Sequence, residues 1–205
     1  GHAALAANTT ASDNTAVGQN AMGGNTTGSV NIAVGRQALQ ANTTGSNHVA
    51  LGYKAMFSNT TASYNTAIGD VALYTNTTGA NNIAIGKESM YANTTGTQNV
   101  AIGNYSLTKN TTGTNVAVGY LALEDNTTGT RNIAIGTEAL KNNTTADNNV
   151  AVGKDAMVTN TTGASNVAIG KSAGENITSG DDNVLLGANA GAHNTSVYAP
   201  IQTFL

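Results

Sequence analysis

Apolar and polar positions along the chain recur with a period of 17 residues. Set out in rows, the sequence reads NTAVGQNAMGGNTTGSV, NIAVGRQALQANTTGSN, HVALGYKAMFSNTTASY and so on to NVLLGANAGAHNTSVY, with rows beginning at residues 14, 31, 48, 65, 82, 99, 115, 132, 149, 166 and 183. The row from Asn99 to Thr114 is one residue short, and residues 1–13 are the end of an earlier row. Numbering the slots of a row from 1 to 17, the consensus is Asn, Ile/Val, Ala, Val/Ile, Gly, two variable slots, Ala, Leu/Met, two variable slots, Asn, Thr, Thr, Gly and two variable slots. Slots 2 to 4 alternate β-branched residues with Ala, which is a strand pattern. A helix would have to carry Gly in slots 5 and 15 of most rows, each costing about 1 kcal/mol against Ala. Each row is therefore expected to run strand, turn, strand, turn. Gly in slot 5 (Gly18, Gly35, Gly52, through Gly187) makes the first corner, slots 8 and 9 the second strand, and NTTG the closing turn.

Two short strands bury no core alone. Stacked coil on coil they pair with their own copies about 4.8 Å above and below. The expectation is an all-β chain: a parallel β-solenoid, or β-roll, of about twelve 17-residue coils. A partial coil occupies residues 1–13, the repeat array residues 14–196, and a cap or connector residues 197–205. In that tail the period breaks at Pro200, and Val197, Tyr198, Ile201, Phe204 and Leu205 are apolar. Equivalent residues form ladders, notably the Asn of slot 12, whose amides can bond along the stack.

The charges sharpen the picture. All 8 Lys and Arg and all 11 Asp and Glu fall in slots 6, 7, 10, 11, 16 and 17. Slots 1 to 5, 8, 9 and 12 to 15 are thus expected inside or against a neighbour. Both faces of the first strand are apolar: Ile32 and Val34 point one way, Ala33 the other. Small Ala suits a thin interior, leaving the Ile/Val ridge to pack against other chains, and the reverse assignment fits nearly as well. Either way an apolar stripe roughly 55 Å long lies on the outside, far more than a soluble monomer tolerates. Self-association is the expected remedy, with a homotrimer the simplest closed arrangement for a fibre.

The strings NVAIG, NIAVG and NVAVG, each followed by small residues, resemble the head repeats of trimeric autotransporter adhesins. The units around GENITSGDDNVLLGANAG, with NTTGxxNxAxG about them, resemble repeats of phage tail-fibre and bacterial surface proteins. The resemblance covers residues 4–193 and departs from the adhesin heads in its longer period. It implies a trimeric β-roll, an extracellular place on a virion tail fibre or cell surface, and a host-surface glycan or receptor as partner.

Candidate chemistry is sparse, and the expectation is a structural protein with no enzymatic activity and no cofactor. With 9% charged residues and a net charge of −3 there is no basic stripe for nucleic acid. No apolar run reaches membrane-span length, so membrane insertion is not expected. His2, His48 and His193 are scattered; His48 replaces the slot 1 Asn and reads as a solvated substitution. Asp181 and Asp182 occur as a pair in one row only, unlike a calcium-binding roll, which needs an Asp in each repeat. The adjacent Thr of slots 13 and 14 point oppositely, which does not make a flat ice-binding face. Tyr53, Tyr74, Tyr91 and Tyr105 sit in charge-tolerant slots and form a candidate aromatic platform for sugars. NTT is also an N-glycosylation sequon, placing candidate acceptors at Asn25, Asn42, Asn59, Asn76, Asn93, Asn110, Asn126, Asn143 and Asn160. The readings of function are therefore a fibre or stalk, a glycan-binding module, or a filament that stacks end to end.

Overall fold

A computed structural model describes residues 1–192, 203 and 204. Eleven three-residue strands follow at the repeat spacing: β1 (Thr15–Val17), β2 (Ile32–Val34), β3 (Val49–Leu51), β4 (Thr66–Ile68), β5 (Ile83–Ile85), β6 (Val100–Ile102), β7 (Val116–Val118), β8 (Ile133–Ile135), β9 (Val150–Val152), β10 (Val167–Ile169) and β11 (Val184–Leu186). They form one parallel sheet in sequence order, every residue opposite its repeat equivalent, as in Ala33↔Ala50 and Ala50↔Ala67. The chain is a β-solenoid. A two-residue strand, β12 (Thr203–Phe204), pairs parallel with β11. The rest of the expected cap or connector, with His193 and Asn194, lies outside the described residues.

Slot 3 points inward. From β2 to β11 the slot 3 residues, such as Ala33, Ala50 and Ala67, are fully buried, together with most of the Ala of slot 8 and the Leu or Met of slot 9; Leu5, Ala16 and Ala190, towards the ends, are partly buried. The core is one small and one medium side chain deep, as a coil of this length requires.

The expected second strand is absent. Slots 6 to 11 form two successive turns, closed by Ala38 N–H to Gly35 O at 3.3 Å and Asn42 N–H to Leu39 O at 3.4 Å. The reason lies in slots 8 and 9. Ala38 and Leu39 are adjacent and both fully buried, whereas neighbours in a strand must point to opposite faces. Left-handed backbone at Gln37 (φ 59°) and Leu39 (φ 53°) turns both inward. Among the described residues, non-glycine positions with positive φ occur only in slots 7, 9 and 17, each at a cost of about 1–2 kcal/mol. The offset is hydrogen bonding from coil to coil around the perimeter: Gln37 N–H to Gln19 O at 2.8 Å, Leu39 N–H to Ala55 O at 2.9 Å, Ala41 N–H to Phe57 O at 3.0 Å, Thr43 N–H to Thr60 O at 2.9 Å and Asn47 N–H to Ser29 O at 3.1 Å. Outside the sheet the chain is turn by conformation and ladder by bonding.

Two irregularities fit the same frame. In the short row the absent residue is slot 17, and Gly113 takes up the difference with φ 96°, the only slot 15 glycine at positive φ. A cleft of about 240 Å³ opens there, between Thr114, Val116, Arg131 and Ile133. Near the C-terminus the core is redistributed. Leu185 replaces Ala in slot 3, while Gly174 and Gly191 replace Leu in slot 9, and a Cβ on either glycine would press on Leu185.

Candidate functional surfaces

The repeated NTTG corner resolves residue by residue. The slot 12 asparagines, Asn25 through Asn160, are fully buried, and each donates Nδ2 to the Oδ1 of the coil before, at 2.7–3.2 Å. Most bond their own slot 15 carbonyl as well, as Asn42 does to Gly45 O at 2.9 Å. The slot 1 asparagine reaches that same oxygen from the other side, Asn31 Nδ2 to Gly45 O at 3.0 Å, so two amides use its two lone pairs. The slot 13 hydroxyl donates to the next coil's carbonyl, Thr43 Oγ1 to Thr60 O at 3.0 Å. The slot 14 threonine, such as Thr44, is exposed. Gly in slot 15 eases a close approach between coils rather than serving as the turn residue the sequence suggested. Its φ is not positive outside Gly113, Ala62 and Ala146 also occupy the slot, and a Cβ at Gly45 would run into the Ala62 carbonyl oxygen.

These asparagines are the nine sequon positions. The nitrogen that a glycan would take is in every case a buried donor in the ladder. In the folded coil it is out of reach of a transferase.

His48 is buried, 1% exposed, not solvated as its surroundings in sequence suggested. Its ring reproduces an asparagine amide. Nε2 meets Ala62 O at 2.6 Å where a slot 1 Nδ2 would be, and Nδ1 accepts from Asn65 N–H at 3.2 Å where an Oδ1 would be. Both bonds require the neutral ring protonated on Nε2. Burial pushes its pKa below the ordinary 6.5.

The four tyrosines fall in three slots, and Lys54 Nζ lies 5.3 Å from the Tyr53 ring, 5.4 Å from Phe57 and 5.9 Å from Tyr74. Tyr74 and Tyr91, both in slot 10, stack 5.2 Å apart and within 3° of parallel, and Phe57, in slot 10 of the coil before, stacks on Tyr74 at 5.2 Å and 10°. The ring faces therefore look along the rod, and both faces of Tyr74 are covered. Tyr53 is exposed in slot 6, with Arg36 and Lys54 over its ring at 5.8 and 5.3 Å. Tyr105, in slot 7, meets Tyr120 edge-on at 6.2 Å. Phe57 is the member that sequence reasoning missed, though reading slot 10 alone would have found it.

Charged side chains join neighbouring coils at the surface: Lys109 to Asp125 at 2.5 Å, Arg131 to Asp147 at 3.7 Å, Lys141 to Glu124 at 3.9 Å. The Asp125 carboxylate raises the pKa of Lys109. At such exposure these pairs contribute little stability.

The remaining surface feature is the outer face of the sheet. Slots 2 and 4 present Ile32 and Val34, Ile83 and Ile85, Ile133 and Ile135 and their equivalents, partly or well exposed. Asn47, Val30 and Asp13 border it, and a shallow cleft of about 400 Å³ runs between them and Thr15, Ile32 and Val49. Among the described residues no group of three metal-ligating side chains occurs, and no helix is long and apolar enough to cross a membrane. No protein-family model, curated protein or solved structure matches the chain.

Proposed function

We propose that this solenoid is the shaft of a surface fibre, a structural, non-catalytic rod in a phage tail fibre or cell-surface adhesin, and that it works outside the cell as a bundle of copies, most simply a homotrimer. The observation that carries the reading is the bonding of each coil to its neighbours all round the perimeter, in the sheet, through the turns and through the Asn and Thr ladders. Such a molecule resists bending in every direction. Its variable slots, 6, 7, 10, 11, 16 and 17, form a repeating display surface whose side chains differ from coil to coil.

The glycan-binding reading draws less support. Sugar stacking needs open ring faces, and the slot 10 column spends its faces on its own neighbours. An antibody raised against the chain tests the fibre reading on the native source. Label on filaments projecting from virions or cells is the expected result, and label confined to the cell interior overturns it.

A further inference from the structure

We propose that the outer face of β1 to β11 packs against a second copy of this chain running parallel and in register. The proposal rests on the fibre reading and specifies its partner geometry. Outward positions of the eleven strands are Ile, Val or Leu except Thr15 and Thr66, and none is charged. Isoleucine at 43% and valine at 55% exposure (Ile32, Val17) mark a face with nothing over it in the single chain. Ten strand spacings of about 4.8 Å give a stripe about 48 Å long, and two side-chain columns about 7 Å apart give it a width of roughly 10 Å. Two copies face to face thus bury on the order of 1,000 Å², the size at which specific interfaces begin. A partner must also match the axial repeat at every coil. Another copy does so without adjustment; a globular partner meets only a few coils.

Charge selects the orientation. The stripe is flanked by slot 17 of the preceding row on one edge and slot 6 on the other. Parallel copies about an axis along the rod, two-fold or three-fold, bring the slot 17 edge of one against the slot 6 edge of the next at the same coil. Every charged flank then meets a neutral residue: Lys87 meets Asn81, Lys154 meets Asn148, Arg131 meets Thr137. An antiparallel pair in full overlap instead sets β1 on β11 and β2 on β10, which places Asp13 against Asp182 and Arg36 against Lys171. Both like-charge contacts disfavour it.

The chain lacks cysteine, so single substitutions report the geometry directly. Val34→Cys in β2 and Ile169→Cys in β10, both partly exposed, are purified separately, weighed by sedimentation and treated with a short bis-maleimide. Parallel packing is expected to give two or three times the 20.5 kDa chain mass, with each variant cross-linking to itself. In an antiparallel pair the two like cysteines lie about 38 Å apart; cross-linking only in a mixture of the two variants overturns the orientation. Self-association without any cross-link overturns the choice of face. Sedimentation as a single chain overturns the proposal entirely, and leaves the fibre reading to be decided by the antibody label.

Discussion

Asn76 holds two coils and one corner at once, donating to Asn59 Oδ1 at 3.0 Å and Gly79 O at 2.9 Å and accepting from Asn93 at 2.9 Å. Asn76→Ala leaves buried partners without it, and a loss of about 2–3 kcal/mol is expected from thermal or denaturant unfolding. Thr78→Ala, two residues on at an exposed slot, is expected to cost under about 0.5 kcal/mol. Equal costs would mean that the ladder is not what the corner is built for. His48 makes the same point with acid. Its folded pKa lies below the ordinary 6.5 because burial disfavours the charged ring, so the unfolded chain takes up the proton first. Its contribution is whole above about pH 6.5 and is lost as pH falls through the folded value. His48→Asn, which restores the repeat, should therefore gain on the natural chain in melting temperature as pH drops from 7 to 5. A constant difference across that range would show that the ring titrates without consequence.

At the scale of the element, the strands and the polar corners could be read from alternation and from the placement of charge, because each depends on one residue and its immediate neighbours, whereas alternation left open which apolar face of the strand turns inward. Slots 6 to 11 could not. Left-handed backbone at Gln37 and Leu39 is unfavourable in isolation, and only bonding to adjacent coils sustains it, which no single row reveals. The buried state of His48 was hidden for the same reason, since its partners Ala62 and Asn65 belong to its coil's far side and to the next coil. Two glycine slots separate conformation from space. Gly35→Ala must hold φ near 138° and meet the Gly52 backbone, whereas Ala already occupies slot 15 at Ala62 and Ala146. Denaturant unfolding should find Gly35→Ala the more damaging of the pair Gly35→Ala and Gly45→Ala by at least about 1 kcal/mol. The redistributed core near β11 gives a further test. Leu185→Ala opens a cavity and Gly174→Leu overfills one, each costing about 1–4 kcal/mol. The double variant should melt above at least one single variant, and strict additivity would deny that Leu185 fills the space Gly174 leaves.

For the whole molecule, the packing proposed above makes the ridge of slots 2 and 4 a matter of assembly rather than of folding. Ile85 is only partly buried in the single chain, so Ile85→Asp should keep the solenoid's circular dichroism while sedimenting as one chain. Lys87→Asp, on the exposed flank, should leave the assembly mass unchanged. Loss of the fold in Ile85→Asp would place that side chain in the core instead.

A ridge that repeats at every coil has a weakness: two rods slid past each other by one step forfeit the contacts of only one strand in eleven. Regularity gives strength without an address. The row that ends at Thr114, one residue short and opened into a cleft beside Val116 and Ile133, breaks that degeneracy. For rods packed as proposed above it acts, together with the wider cleft between Asp13 and Val49, as a keyway in a repetitive shaft: only the in-register phase sets each notch against its own copy.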